Sequence, residues 1–242
     1  MTAFLIASFL IVGFLCGATS IGGILLIPAI QYGTGMPLSL SSGTALCSFF
    51  FTATVGTFLH WRRGSLKKEL VVPQCLGALV FGCFGALAKY VVGDVALNVI
   101  LAVLIIVSGI AALRQPHPVS SMKTERGRFR YLFFVGSFVG FMAGLTGMGG
   151  PVLSVPMMIV MGFAPFATVA AAQPFQMFAC FSGSVGNIII DQINWPVALF
   201  SVVLQSLGVW AGIRAASHMN TAMLKKCIAG LCVVTGVIML LR

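Results

Sequence analysis

Long apolar runs separated by short polar stretches make up most of this chain of 242 residues. Most runs are close to the ~20 residues that a helix needs to cross a bilayer. The eight runs fall near residues 2–32, 38–60, 70–91, 96–113, 129–161, 165–190, 195–213 and 222–241. This pattern predicts an all-α polytopic membrane protein with eight helical segments.

The composition supports the membrane interpretation and limits the partners. Hydrophobic residues make up 59% of the chain and charged residues only 7%, whereas a soluble domain carries about a quarter charged residues. The net charge is +10, but the bases lie between the apolar runs, as the positive-inside rule describes for cytoplasmic loops. We therefore expect a multi-pass protein of the bacterial inner membrane that binds no nucleic acid.

The two halves of the chain resemble each other at a fixed offset of 127 residues. GFLCGATSIGG at 13–23 aligns with GFMAGLTGMGG at 140–150, with six of eleven positions identical. A fixed offset held along both halves indicates duplication. The sequence predicts a first transmembrane repeat at 1–113, a cytoplasmic linker at 114–130 and a second transmembrane repeat at 131–242, with four helical segments in each repeat.

The loop charges predict that the two repeats are inverted in the membrane. The loop 61–69 holds four bases and one acid, whereas its copy near Asp191 holds no base. In the second half the basic residues lie instead in the loop 214–226. By the positive-inside rule, the second repeat therefore has the opposite orientation in the membrane. Inversion requires one segment of each repeat not to cross fully. The glycine-broken first segment suits a re-entrant hairpin.

These glycine-rich breaks have a physical use. Glycine lets backbone N–H groups approach a ligand closely, and non-helical backbone inside a membrane must be buried in protein or line a wet cavity. The half-helices that begin near Gly22 and Gly149 would point free N–H groups and positive dipole ends at the breaks. Matching breaks in two repeats are typical of a transporter's binding site. We expect a neutral, donor-rich site for a small anion.

Some of these glycines have a second interpretation. Gly13, Gly17, Gly140 and Gly144 form GxxxG spacings, which are also typical of faces where helices pack closely. For these four residues the two interpretations stay open. The paired glycines beside hydroxyl groups favour the binding site.

Polar side chains inside the apolar runs complete the predicted site. Gln173 and Gln176 lie one turn apart on one helix face, where amides are costly in lipid and should face a cavity or a partner. The predicted substrate-binding residues are Thr19, Ser20, Gly22, Gly23, Thr44, Thr146, Gly147, Gly149, Gly150, Gln173 and Gln176. For His60, near the end of the second run, we expect a solvated side chain, with proton coupling as the alternative.

The missing residue types exclude several functions. The four acids lie at segment ends or in loops, at Glu69, Asp94, Glu125 and Asp191. No catalytic constellation, metal site or cofactor is therefore expected, and the chain is predicted not to be an enzyme. We expect a secondary carrier or facilitator for a small anion in the lipid bilayer. An anion channel or a passive membrane subunit of a larger complex is the alternative, and homo-oligomerisation is left open.

With these motifs the chain resembles the sulfite exporter TauE/SafE family of membrane permeases. The matching residues are GATSIGG at 17–23 and GLTGMGG at 144–150, each followed by a proline, together with the MP pair at 36–37 and the threonine of GTAL at 43–46. The resemblance implies eight helical segments in two repeats and transport of sulfite, sulfoacetate or a related organosulfonate. AAAQP at 170–174 departs from the first-half SGTAL, so the resemblance leaves that part of the substrate site unspecified.

Overall fold

All the regular elements in the described part of the chain are helices. A computed structural model describes residues 2–88, 103, 105–107, 109–111, 113, 124–146, 150–189 and 193–240. The helices are α1 (Thr2–Thr19), α2 (Gly23–Thr34), α3 (Leu38–Arg62), α4 (Lys68–Ala88), α5 (Glu125–Thr146), α6 (Pro151–Val160), α7 (Pro165–Ile189), α8 (Trp195–His218) and α9 (Thr221–Leu240). Helical residues also occur between 103 and 113. The long first run of each half is therefore two helices.

α1 and α2 form a hairpin. A methyl group added to Gly22, at the start of α2, would lie 2.6 Å from the carbonyl oxygen of Val12. A methyl group on Gly33, near the end of α2, would collide with Leu5. α2 therefore runs back along α1, and at 1.5 Å per residue its 12 residues cover about 18 Å of the roughly 27 Å length of α1.

α5 and α6 form a second hairpin. The hydroxyl group of Tyr131, in the second turn of α5, donates to the carbonyl oxygen of Met157 near the end of α6 at 3.3 Å. Pro151 begins α6, where its missing N–H costs no helical hydrogen bond. The chain has therefore reversed direction between the two helices.

α5 begins at Glu125, so its first residues lie inside the predicted linker 114–130, whose cytoplasmic position stays a prediction. Glu125 lies in the first turn, where a negative charge favours the helix dipole. Arg128 also forms an ion pair with Glu69 in the first turn of α4 at 2.5 Å. Residues 114–123 lie outside the described part of the chain.

α1 packs in parallel against α8 through glycines. A methyl group on Gly13 would lie 2.6 Å from the Cα atom of Gln205, and one on Gly17 would lie 2.8 Å from the Cα atom of Val209. Gly212 of α8 faces the backbone of α1 in the same way. The two backbones are thus in direct contact, and the close-packing interpretation is confirmed for Gly13 and Gly17.

α4 and α5 form an equivalent parallel pair. A methyl group on Gly136 would lie 2.6 Å from the Cα atom of Gln74, and one on Gly140 would lie 2.6 Å from the Cα atom of Ala78. Since both residue numbers increase together, the two helices run in the same direction. Gly140 is therefore a packing residue, as GxxxG spacing allows.

α3 and α7 pack against each other in opposite directions. Gly56 lies against the side chain of Gln173, and the ring of Phe50 lies 5.7 Å from that of Phe181 between centroids. Residue numbers increase along α3 as they decrease along α7. Both helices have 25 residues, which corresponds to about 37 Å.

The surface carries many large apolar side chains. Exposed examples are Phe84, Phe134, Leu199, Val203 and Leu207. Among the described residues, the helical stretches Leu40–Arg62 and Trp195–His218 are long and apolar enough to cross a membrane. An apolar exterior of this extent fits contact with lipid rather than with water.

Candidate functional site

The first glycine motif forms a break between α1 and α2 that is buried in the protein. Thr19 and Ser20 at this break are each 2% exposed. The hydroxyl group of Thr19 donates to the carbonyl oxygen of Leu15 at 2.8 Å and accepts from the N–H of Ile21 at 3.2 Å. Ser20 has a φ of 60°, a conformation that non-glycine residues rarely adopt. The helix therefore ends sharply at Ser20.

Gln173 of α7 holds this break in place. Its side-chain Nε2 donates to the carbonyl oxygen of Cys16 at 2.9 Å and to the hydroxyl group of Ser20 at 3.1 Å. The Ser20 hydroxyl in turn donates to the carbonyl oxygen of Val169 at 3.1 Å. Two predicted site residues from opposite halves of the chain are thus in direct contact. An amide within an apolar run is expected to hydrogen-bond to a polar group, and Gln173 does so here.

The start of α2 offers backbone donors near the same break. Gly22 is the N-cap residue of α2, and it has no side chain that could accept a hydrogen bond from the first N–H groups of the helix. The first N–H groups of a helix have no partner within the helix and carry its positive dipole end. Gly22 and Gly23 are both buried. At Gly22 the space that a side chain would take is filled by Val12 and Cys16 of α1, so a ligand would have to approach this helix start from another side.

The second glycine motif forms a similar break between α5 and α6. α5 ends at Thr146 and α6 begins at Pro151, with Gly150 as its N-cap residue at a φ of 65°. No side chain caps this helix either. A methyl group on Gly150 would lie 2.5 Å from the Cε1 atom of Phe175. Gly147 and Gly149 of the predicted site lie outside the described residues.

α7 contacts both breaks from different faces. Gln173 contacts the first break and Phe175 lies against Gly150 of the second. Successive residues of a helix turn by about 100°, so these two side chains point in nearly opposite directions. Gln176, which is 3% exposed, lies one turn from Gln173. The described residues thus place α7 between the two breaks, and whether they line one pocket stays a prediction.

Thr44 lies apart from the contact between Ser20 and Gln173. Its hydroxyl group donates to the carbonyl oxygen of Leu40 at 2.7 Å and accepts from the N–H of Asn194, just before α8, at 3.0 Å. Thr44 precedes Gly56 by three turns of α3, about 18 Å along the axis. It therefore joins the start of α3 to the start of α8.

Some residues of this site were not predicted from the sequence. Gly56 allows the Gln173 side chain to lie directly against the α3 backbone, and the carbonyl groups of Cys16 and Val169 accept hydrogen bonds from side chains. The sequence carried no signal for these contacts, because Pro174 removes the helical donor of Ala170 rather than that of Val169.

The site is neutral where the structure describes it. The side chains and carbonyl groups that contact the two breaks come from uncharged residues. Within the described residues, no three His, Cys, Asp or Glu residues are grouped as metal ligands. Cys16, Cys47, Cys75, Cys180 and Cys232 are buried in the helices. Hydrogen-bond donors and helix dipoles therefore set the electrostatics of the breaks.

Broken helices buried among apolar helices define a class of protein, the helical membrane transporters. The sequence also matches the family described as "Sulfite exporter TauE/SafE" over residues 4–239, so the chain belongs to this family and is an integral membrane protein. It is 25% identical over 232 residues to "Probable membrane transporter protein YunE" of Bacillus subtilis (strain 168), covering 86% of this chain and 84% of that protein. It is 25% identical over 231 residues to "Probable membrane transporter protein ORF9" of Sinorhizobium sp, covering 93% of this chain and 87% of that protein.

Proposed function

We propose that this protein is a multi-pass carrier of a small anion, sulfite or an organosulfonate, in the bacterial inner membrane. The observation that carries the proposal is the contact between Ser20 and Gln173 at 3.1 Å. It joins a broken helix of the first half to a long helix of the second half. A ligand bound at this break would contact both halves, as binding during alternating access requires.

The chemistry at the breaks favours an anion. α2 and α6 begin at glycines without side-chain caps, whereas the hydroxyl proton of Ser20 and both amide protons of Gln173 are donated within the protein. Backbone N–H groups at a helix start bind sulfate, phosphate and carboxylate groups well, because the donors and the dipole both point at the ligand. Glu69 and Glu125 are exposed at the starts of α4 and α5, away from the breaks. A bound cation would have no carboxylate from either residue.

The family supports a sulfur oxyanion as the substrate. Its description names sulfite export, whereas YunE and ORF9 are named only as probable membrane transporters. Sulfite and organosulfonates share an anionic group in which three oxygens on one sulfur accept hydrogen bonds. The backbone N–H groups at the starts of α2 and α6 suit such a group.

The helix boundaries support the proposed duplication. α1 and α5 end at Thr19 and Thr146, which are 127 positions apart. The same separation holds for the starts of α3 and α7, their ends, and the starts of α4 and α8. Recurrence of whole elements at the sequence offset is expected if both halves derive from one unit.

The packing supports an arrangement in which each half of the chain contributes a helix that packs against the other half. The contact of Gly13 with Gln205 joins α1 to α8, and that of Gly140 with Ala78 joins α5 to α4. Adding 127 to Gly13 and subtracting 127 from Gln205 converts the first contact into the second. The first helix of each repeat thus packs against the third helical segment of the other repeat.

The antiparallel contact of α3 with α7 supports inversion. These helices occupy equivalent places in the two repeats, yet they run in opposite directions. If both cross the bilayer, an axis in the membrane plane must relate the repeats, as in other inverted-repeat transporters. Both hairpins then start and finish on one side, which fits the re-entrant segments expected from the loop charges.

Proteoliposome counterflow tests this function. Purified protein should exchange labelled sulfite against internal sulfite, sulfoacetate or sulfate with saturable kinetics, and zwitterionic taurine should compete poorly. Preference for a cation would overturn the electrostatic argument. Sulfite flux without counterflow would instead establish an anion channel, and absence of any flux would support a passive subunit of a larger complex.

A further inference from the structure

His60 is buried at the cytoplasmic end proposed for α3. It is 0% exposed, so the expectation of a solvated side chain was wrong. Neither Nδ1 nor Nε2 has a hydrogen-bond partner in the described part of the chain. Its ring packs edge-on against Phe166 at the start of α7, with 5.6 Å between centroids. Tertiary contact between α3 and α7 therefore removes this imidazole from solvent.

The burial of His60 needs a functional explanation. A buried polar group without a hydrogen bond costs about 1–3 kcal/mol, and such groups are few in native proteins. The hydroxyl oxygen of Thr57, one turn before His60, is also buried without a partner among the described residues. Two unpaired polar side chains on one helix face point to a site that works with a mobile ligand rather than to a stable core.

This site is next to the first break. Gly56 and His60 are four residues apart and therefore lie on the same face of α3, about 6 Å apart along the axis. Gly56 lies against Gln173, and Gln173 binds Ser20 at the break. His60 is thus one helical turn from the side chain that holds the proposed anion site.

The charged groups around His60 are mostly cations. On α3 these are Arg62 and Arg63, and Arg63 donates from Nη1 to the carbonyl oxygen of Ile213 on α8 at 3.3 Å. Other titratable groups on the adjoining elements are Lys67 and Lys68 at the start of α4, Glu69, which is paired with Arg128, Arg214 and His218 at the end of α8, and Cys16 of α1. α7 carries no titratable residue between Phe163 and Gln173.

An anion at the break would shift the equilibrium between the neutral and the protonated form of His60. A protonated imidazole is disfavoured when it is buried beside cations, whereas a negative charge within a few ångströms favours the protonated form. By thermodynamic linkage, protonation of His60 must then strengthen anion binding by the same factor.

We propose that His60 takes up one proton when the anion binds at the break, and that this proton and the anion cross the membrane together. The proton passes from water to a ring nitrogen lone pair of His60 and returns to water when the anion leaves. This inference rests on the proposed anion transport. His60 is covered by Phe166 of α7. This contact keeps the proton from passing to water without the anion while the site is closed.

The experiment compares two modes of sulfite transport in proteoliposomes. Counterflow exchanges sulfite for sulfite and requires no net proton movement, whereas uphill accumulation driven by a pH gradient requires coupling. At zero membrane potential, one proton per sulfite dianion gives about tenfold accumulation for a gradient of one pH unit, since each tenfold ratio corresponds to ~1.4 kcal/mol. Hydrogensulfite carries a proton of its own and gives the same ratio, so the comparison with His60→Gln is what assigns the proton to His60. Protein-free liposomes measure the sulfite that crosses as neutral species.

The wild-type protein should accumulate sulfite, and an entrapped pH-sensitive dye should report protons entering with it. His60→Gln should keep measurable counterflow but lose gradient-driven accumulation. His218→Gln is the matched control, because His218 is an exposed histidine at the end of α8, and it should keep both activities. Retention of folding by each variant is checked by its melting temperature in detergent.

The outcomes separate this inference from the proposed function. Absence of sulfite flux in the wild-type protein would remove the transport proposal itself. Counterflow without a response to the pH gradient, or a His60→Gln variant that accumulates sulfite like the wild type, would overturn proton coupling at His60. If His60→Gln does not fold, the dye measurement on the wild-type protein still decides whether protons accompany the anion.

Discussion

The side-chain amide of Gln173 donates to the hydroxyl group of Ser20 at 3.1 Å, although 153 positions separate the two residues. The same amide donates to the carbonyl oxygen of Cys16 at 2.9 Å, which also accepts from the N–H of Ser20 at 2.9 Å. α7 therefore stabilises the broken end of α1 directly. A movement of α7 relative to the first hairpin would change the site geometry.

Replacing Gln173 by Leu should weaken both stability and transport. The carbonyl oxygen of Cys16 would lose one of its two buried donors, and a typical hydrogen bond contributes about 0.5–1.5 kcal/mol. We expect a lower melting temperature in detergent and reduced sulfite counterflow. Val203→Leu, on an exposed side chain of α8, is the control and should change neither. Normal counterflow in Gln173→Leu would place the substrate site elsewhere.

Gly56→Ala should disturb the site without unfolding the protein. The added methyl group would lie 2.9 Å from the Cδ atom of Gln173, and a flexible side chain can move away from it. Loss of one hydrogen bond of about 1 kcal/mol predicts roughly fivefold weaker sulfite binding. Gly230→Ala, at a helical glycine with open space around it, should bind sulfite normally. Equal affinity in the two variants would contradict this role of Gly56.

The second break can be tested with two glycines that both have a positive φ. Gly150 and Gly35 have φ values of 65° and 72°, with ψ values of −41° and 13°, so valine is strained at either position by about 1–3 kcal/mol. Only at Gly150 does a side chain also meet Phe175, whereas Gly35 has nothing within 4 Å. Gly150→Val should abolish counterflow with expression largely retained, and Gly35→Val should keep transport. Similar loss in both variants would indicate strain alone.

The buried hydroxyl groups of Ser48 and Ser201 join α3 to α8. Their oxygen atoms are 2.6 Å apart, and both side chains are 0% exposed. A double-mutant cycle with Ser48→Ala and Ser201→Ala should give a coupling free energy of about 0.6 kcal/mol, the average for hydrogen bonds between membrane helices. The free energy of unfolding in detergent measures this quantity. Strict additivity of the two substitutions would mean that the pair contributes nothing to stability.

Reporter fusions test the inverted topology. If the basic loops 61–69 and 214–226 both face the cytoplasm, Arg242 ends outside. Alkaline phosphatase fused after Arg242 should therefore be active, and green fluorescent protein at that position should stay dark. The same reporters fused after Gly64 should give the opposite pattern, which controls for expression. The reverse result at Arg242 would mean parallel repeats with a fully crossing first segment.

The positions of the helix breaks were predictable from the sequence. α1 ends at Thr19 and α5 at Thr146, α2 begins at the last residue of its predicted glycine motif, and α6 begins directly after its own. Glycine and proline act locally, because they change the backbone angles and hydrogen bonds of their own turn. The apolar runs likewise identified the long helices. The start of α5 was less certain, since the ion pair of Arg128 with Glu69 involves a distant segment.

The sequence by itself determined the helical class, the two broken segments and the family, because these depend on local composition and spacing. Only the tertiary structure decided that Gln173 binds Ser20, that Thr44 binds the backbone before α8, and that His60 is buried. The physical reason is the apolar surroundings of a membrane helix. Lipid and protein neighbours both favour apolar side chains, so hydrophobic periodicity does not identify the face that packs inward. Those contacts follow from the packing of whole helices across the two halves.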